Sequence, residues 1–166
     1  MTQLYKENNP PKPWGDNEIA IFCGPGFTSW SPKQLYDPQG SFIGGSEEAC
    51  VRIAQELSKL DWSVTVYGDP GNDEGIHDGV NYLPYYKFNK LDNFNILISW
   101  RQLGFFDQEF SAKKKYLWIH DIPVRLEYTP ERWNKIDKII VLSKWQREQI
   151  DHVPENKIFY STNGFD

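Results

Sequence analysis

The stretch GGSEEACVRIAQELSKLDWSVTVYG, residues 44–68, predicts a helix followed directly by a strand. Apolar residues recur at helical spacing in its first part. This apolar face consists of Cys50, Ile53, Ala54, Leu57 and Leu60. Residues 63–68 are rich in β-branched side chains and end at a glycine, as expected of a strand. The apolar run EIAIFC at 18–23 precedes the helix, so the three segments form a strand–helix–strand unit, the usual connection between parallel strands.

Further apolar runs continue this alternation towards the C-terminus. They are VNYLPYYKF (80–88), NILISW (95–100), KYLWIH (115–120), KIIVLS (138–143) and KIFYST (157–162). Short helices are predicted at 129–136 and 144–150. Such strands indicate a parallel sheet covered on both faces. The predicted fold class is α/β, a Rossmann-like doubly wound domain with a mainly parallel sheet and strand order 3-2-1-4-5-6-7, since right-handed crossovers leave few alternatives. Pro84 places the third predicted strand at a sheet edge.

The composition is that of one folded, aromatic-rich domain. A chain of 166 residues can bury a core, and an aromatic fraction of 16% argues against disorder. The net charge of −5 argues against nucleic acid as the main partner, because binding to phosphates needs a basic face. Residues 113–115 are the only dense basic run. They are interpreted as a solvated strand entry, with contact to an anionic lipid surface as the alternative.

The proline-rich segment NPPKP at 9–13 cannot enter a sheet, so residues 1–17 are predicted to be a flexible leader and 18–166 a single domain. The leader lacks the apolar core of a signal peptide, and no apolar run approaches the ~20 residues that cross a bilayer. We therefore expect a cytoplasmic protein without a transmembrane segment. Cys23 and Cys50 are predicted to be reduced core thiols, and the three histidines are too scattered for a recognisable metal site.

Polar residues gather where the predicted strands end, and in doubly wound sheets ligands bind outside the carboxyl ends of the strands. The residues of this predicted rim are Gly44, Gly45, Arg101, His120, Asp121, Ser143, Asn163 and Gly164. An apparent glycine pattern beginning at Gly24 and Gly26 is not a dinucleotide fingerprint, because its third position is Ser29 and the helix starts some twenty residues later.

The Gly44–Gly45 pair has two interpretations of equal weight. It could leave backbone N–H groups open to an anion at the helix N-terminus, or it could serve a tight helix entry with positive φ. Ser46 is the predicted N-cap, and Glu47 suits the positive end of the helix dipole.

His120 and Arg101 each have alternative roles as well. His120 could hydrogen-bond a ligand, or act as a base if Asp121 orients it, although side chains adjacent in sequence tend to diverge. A histidine that only fills the loop is the competing interpretation. Arg101 could bind phosphate or a carboxylate such as Asp107. The tryptophans are interpreted as core or interface residues, any of which could stack on a sugar ring.

Four segments together resemble the N-terminal domain of retaining glycosyltransferases of family 4. Residues 44–68 are similar to the family's glycine loop, first helix and second strand. YLWIHDIP (116–123) is similar to its histidine-bearing strand end, and DKIIVLSKWQREQI (137–150) to the strand, serine and helix start that follow. VPENKIFYSTNGFD (153–166) is similar to the segment that closes the first domain, although Phe165 replaces a smaller aliphatic residue.

The resemblance implies a two-domain GT-B enzyme with its active site between two Rossmann-like halves. The first half contributes acceptor binding and covers the donor diphosphate. The second half holds the nucleotide sugar and is not among these 166 residues. The expected activity is metal-independent, needs no cofactor, and transfers a hexose from a nucleotide sugar to a glycan, lipid or small-molecule acceptor with retention. The isolated chain is expected to be inactive.

Carried over by residue, Gly44 and Gly45 match the glycines that approach donor phosphate and acceptor, beside Ser46 and Glu47. His120 matches the histidine near the transferred sugar, which orients it and is not a base. Asn163 and Gly164 match the hinge turn. A stand-alone sugar- or nucleotide-binding module, or a non-catalytic remnant of the fold, is the alternative. A sugar-nucleotide epimerase fits YLWIHDIP less well.

Overall fold

The computed structural model describes residues 10–26, 28–37 and 42–162. The strands are β1 (Glu18–Phe22), β2 (Ser63–Gly68), β3 (Gly75–His77), β4 (Val80–Pro84), β5 (Asn93–Trp100), β6 (Ser111–Trp118), β7 (Lys138–Val141) and β8 (Ile158–Tyr160). The α-helices are α1 (Gly45–Lys59), α2 (Pro130–Trp133) and α3 (Lys144–Gln149). Short 3-10 turns occupy several of the connections. The sequence therefore locates each of these α-helices and every strand except β3.

All eight strands belong to one sheet, in the order β3-β4-β2-β1-β5-β6-β7-β8. Every neighbouring pair is parallel except β3 and β4. The α/β, Rossmann-like class and the order of the seven predicted strands are confirmed, and β3 is an addition. β4 is consequently not the edge strand that Pro84 predicts.

β3 lies within a segment that its polar composition predicts to be a loop. Asp78 and Gly79, with φ of 49° and 79°, form the turn of a β3–β4 hairpin. Two successive positive φ values suit the tight turns that asparagine–glycine or aspartate–glycine pairs favour. This hairpin could therefore have been predicted from the Asp78–Gly79 pair in the sequence.

Alternate residues of the strands point to opposite faces of the sheet, and each face has its own core. On one face, α1 packs its buried residues Ala49, Cys50, Val51 and Ala54 against β1, β2, β4 and β5. The other face is covered mainly by aromatic side chains from short segments. These include Trp14, Phe88, Phe105, Phe106, Phe110, Tyr128 and Trp133. The sheet is thus covered on both faces, but within residues 10–26, 28–37 and 42–162 only one face carries a long helix.

Within the described residues, ordered structure begins earlier in the chain than the prolines predict. Pro13 forms a parallel β-bridge with Asn93, in which Asn93 donates to the Lys12 carbonyl and Trp14 donates to the Asn93 carbonyl. The bridge uses only the backbone groups of Pro13's neighbours, so the missing proline N–H costs nothing. Trp14 is 6% exposed and donates from Nε1 to Asp92 Oδ2 at 2.9 Å. The prediction that ordered structure begins near residue 17 is wrong for these residues.

Two details of α1 also differ from the prediction. Its N-cap is Gly44, so Ser46 is the second helical residue and does not cap the helix. Leu60, assigned to the apolar face, follows the last helical turn as its C-cap and is 70% exposed. The helical periodicity was right for the turns that face the sheet and failed at the end, where the chain turns towards β2.

The basic run at 113–115 lies in the first half of β6, where Lys113 pairs with Asp16 and Lys114 pairs with Asp137. The carboxylates of Asp16 and Asp137 offset much of the positive charge of residues 113–115. This favours the interpretation of the basic run as a solvated strand entry. Across residues 10–26, 28–37 and 42–162, no helix combines the length and apolarity that a membrane span needs.

Candidate functional site

The N-terminus of α1 carries two glycines that the backbone conformation does not require, of which Gly44 lies against the Glu47 carboxylate and Gly45 has open surroundings. Gly44 has φ −66° and ψ 151°, and Gly45, the first helical residue, is not among the glycines with positive φ. The tight entry with positive φ is therefore wrong. A Cβ on Gly45 would meet nothing within 4 Å, and no side chain of the described residues caps the helix. Uncapped N–H groups at a helix start attract anions and hydrogen-bond acceptors.

Arg101 connects this helix start to the ends of β5 and β6. Its guanidinium donates to Asp121 in bidentate fashion, from Nε to Oδ2 at 2.6 Å and from Nη2 to Oδ1 at 2.7 Å. Its Nη1 lies 3.5 Å from Ser46 Oγ and 3.6 Å from Glu47 Oε1. These pairings raise the pKa of Arg101, chiefly through the hydrogen bond to Asp121. Asp107, the partner suggested by proximity in sequence, pairs instead with Arg132.

His120 lies two residues beyond β6, between two buried indole rings. Trp100 and Trp118 are register partners at the ends of β5 and β6, and each is 5% exposed. The ring centroid of His120 is 4.5 Å from that of Trp118 and 5.7 Å from that of Trp100. The three polar atoms His120 Nε2, Trp100 Nε1 and Trp118 Nε1 are buried, and none has a hydrogen-bond partner in the part of the chain that the structure describes.

Unpartnered polar atoms are uncommon in protein interiors, and each costs ~1–3 kcal/mol. Three of them together at one rim of the sheet are a signal of a ligand or an internal water. Sequence reasoning treated Trp100 and Trp118 as no different from the other tryptophans, because only the register of β5 and β6 brings their rings together.

The environment of His120 keeps its imidazole neutral. Burial, and secondly the charge of Arg101, lower the pKa of His120 to about 4, although Asp121 and Glu47 act in the opposite direction. The carboxylate of Asp121 is turned to Arg101, and the structure shows no hydrogen bond between it and His120. A neutral imidazole with a low pKa can donate or accept a hydrogen bond, but it is a poor base near neutral pH. The geometry therefore supports binding over proton abstraction.

Ser143 has a structural role that the sequence could not distinguish from binding. Its Oγ caps α3 by accepting from the Gln146 N–H at 3.1 Å. Gln146 is 6% exposed and donates from Nε2 to the Asp121 carbonyl at 3.1 Å, so α3 holds the loop that carries Asp121. No pattern in the sequence indicates this role for Gln146. Asn163 and Gly164 lie outside the described residues.

Cys23 and Cys50 lie beneath the rim as free thiols, with their Sγ atoms 3.7 Å apart, as predicted for core cysteines. Burial raises the pKa of the Cys23 thiol well above its usual value. Among the described residues, no group of three or more histidine, cysteine, aspartate or glutamate side chains could hold a metal ion.

The low pKa of His120 predicts a pH dependence of stability. The unfolded chain takes up a proton on this residue near pH 6.5, whereas the folded chain does so only near its pKa of about 4. The free energy of unfolding should therefore fall as the pH decreases through this window, by on the order of 2 kcal/mol. His120→Gln should remove this part of the slope in urea titrations at several pH values.

His152→Gln is the matched control, since the His152 ring hydrogen-bonds the Tyr128 carbonyl away from the rim and the variant keeps His120. It should retain the slope between pH 6.5 and 4. Equal slopes for wild type and His120→Gln would contradict the neutral, buried state of His120.

Comparisons with protein-family models, curated proteins and solved structures found no match for the chain. The resemblance to glycosyltransferases therefore depends on the residues themselves, and any function must be argued from the rim.

Proposed function

We propose that this chain is the acceptor-side, N-terminal half of a retaining glycosyltransferase of the GT-B type, which transfers a hexose from a nucleotide sugar without a metal ion. The observation that carries the proposal is the juxtaposition of an open helix start at Gly45 with a polar–aromatic cluster. We define the cluster as Glu47, Trp100, Arg101, Trp118, His120 and Asp121. A sugar-transfer site must bind a phosphate group and a sugar. The helix start suits the phosphate, and the cluster suits the sugar.

The charge of the cluster favours hydroxyl groups. Two carboxylates, on Glu47 and Asp121, surround one guanidinium, and His120 is neutral. An additional phosphate among these side chains would meet net negative charge, whereas a sugar hydroxyl can donate to the carboxylates and accept from Arg101. The cluster is therefore the better place for a sugar.

The helix start of α1 is the better place for phosphate. Gly45 is exposed, its surroundings are open, and it stands at the positive end of a 15-residue helix. In this proposal the donor diphosphate lies over Gly45, because the Glu47 carboxylate occupies the space beside Gly44, and the sugars lie beside His120. His120 then orients a sugar and takes no proton.

The proposal is tested by titrating the ¹⁵N-labelled chain with hexoses and nucleotide sugars and following its indole N–H resonances by NMR. We expect the signals of Trp100 and Trp118 to shift, because their Nε1 atoms lack partners. The signal of Trp14 should stay in place, because its Nε1 is bonded to Asp92. The shifts should be lost in His120→Ala. An unchanged spectrum across the panel would contradict the proposal.

A non-catalytic sugar-binding module is the second candidate, since the charges of the cluster suit the binding of a sugar whether or not a reaction follows. It predicts the same NMR shifts. The coding sequence after the codon for Asp166 distinguishes the two. A second Rossmann pattern with paired glutamates supports the enzyme, and a stop codon at that point supports the module.

We also expect the isolated 166-residue chain to show no sugar transfer. A single half cannot enclose donor and acceptor, exclude water from them and hold their reacting atoms together. Incubation of the purified chain with nucleotide sugars and candidate acceptors, followed by chromatography of the products, checks this expectation. Measurable transfer would show that one half suffices.

A further inference from the structure

Three buried ring nitrogens lie on residues next to the ion pair of Arg101 and Asp121. The guanidinium carbon of Arg101 is 4.9 Å from the ring centroid of Trp100. Asp121 directly follows His120, whose ring lies against Trp118. The arginine therefore lies over the Trp100 ring at the strand ends, where ligands bind in doubly wound sheets.

The ion pair of Arg101 and Asp121 is partly exposed to water. The side chains of Arg101 and Asp121 are 28% and 58% exposed, and ion pairs with that access to water contribute little stability. Arg101 also has φ 70°, a conformation that non-glycine residues adopt infrequently. Glu47, on the opposite side at 3.6 Å, offers the guanidinium a second carboxylate if it leaves Asp121. Arg101 thus has a second carboxylate, that of Glu47, close enough to pair with.

We propose that the ion pair between Arg101 and Asp121 is a movable cover, and that its opening exposes Trp100 Nε1, Trp118 Nε1 and His120 Nε2 as hydrogen-bonding groups for ligand oxygen atoms. In the closed state none of the three nitrogens has a hydrogen-bond partner among the described residues. An incoming oxygen atom supplies the missing hydrogen bonds and compensates for the loss of the ion pair. The assignment of that oxygen to a sugar rests on the proposed function, whereas the cover itself does not.

The test is hydrogen exchange of the indole N–H groups, measured by NMR without any ligand. Asp121→Asn removes the charge that holds Arg101, and the exchange of the Trp100 and Trp118 indoles should accelerate by up to about fivefold, the change that ~1 kcal/mol produces. The Trp14 indole, buried and bonded to Asp92, reports global unfolding in the same spectrum. We therefore divide the exchange rates of the Trp100 and Trp118 indole N–H groups by that of the Trp14 indole. This ratio does not change when the whole protein is destabilised.

The chain offers a matched control in Arg132 and Asp107, a second bidentate pair at 2.9 and 2.7 Å with side chains 30% and 45% exposed. Asp107→Asn should leave the ratio unchanged. Arg101→Gln provides a second variant, which removes the cover itself and should accelerate exchange at least as much as Asp121→Asn.

Exchange at the wild-type ratio in both rim variants would overturn the proposal and indicate an internal water under a fixed cover. Equal acceleration in Asp107→Asn would overturn it as well. Because no sugar is present, failure here leaves the proposed function standing, and failure of the sugar titration leaves the cover standing.

Discussion

Trp14→Ala is expected to lower the free energy of unfolding by about 3–5 kcal/mol, the usual cost of truncating a buried tryptophan. Trp14 is 6% exposed, lies with its ring centroid 5.1 Å from that of Phe94, and donates from Nε1 to Asp92. The substitution leaves a cavity under the sheet and an aspartate without this partner. Urea denaturation followed by circular dichroism measures the change.

Trp145→Ala is the control, because Trp145 is 50% exposed and its truncation should change stability by less than about 1 kcal/mol. A loss for Trp14→Ala as small as that of the control would mean that residues 10–14 do not belong to the cooperative core. The flexible leader would then extend as far as the sequence predicts.

Gly45→Val is expected to leave stability nearly unchanged and to lower turnover at least about 100-fold in the two-domain enzyme that the proposed function requires. A Cβ on Gly45 meets nothing within 4 Å, and valine is no worse than glycine in a helix. The added side chain would instead occupy the space over the helix start. A displacement of the reacting groups by ~1 Å is enough for a loss of this size. Melting temperature and turnover are measured on the same variant.

Gly79→Val is the matched control for a glycine that the backbone does require. Its φ is 79°, and a Cβ there would collide with Ser58 Oγ, so the turn should be strained by roughly 1–3 kcal/mol. Its melting temperature should fall, while turnover in the surviving folded fraction stays normal. If Gly45→Val behaves like Gly79→Val, the phosphate interpretation of the glycine pair fails.

The location of the candidate site could be predicted from the sequence, but the contacts among its side chains could not. Gly45, Arg101 and His120 could be assigned to one rim, since each follows a strand in a parallel sheet and such ends meet at one edge. Their partners could not be assigned. Arg101 pairs with Asp121, twenty positions along the chain, and not with the nearer Asp107. Ser143 looked like a ligand-binding serine and caps α3.

The α/β class, the position of α1 and the order of seven strands were all predictable from the amino-acid sequence, because hydrophobic periodicity and crossover handedness are local or nearly local properties. What covers the second face of the sheet became visible only in the three-dimensional structure. There Trp14 reaches Asp92 across 78 positions of the chain. The same holds for the burial of Trp100, Trp118 and His120 in one cluster, since that depends on the register of β5 with β6. Register joins residues far apart in sequence, and no local pattern encodes it.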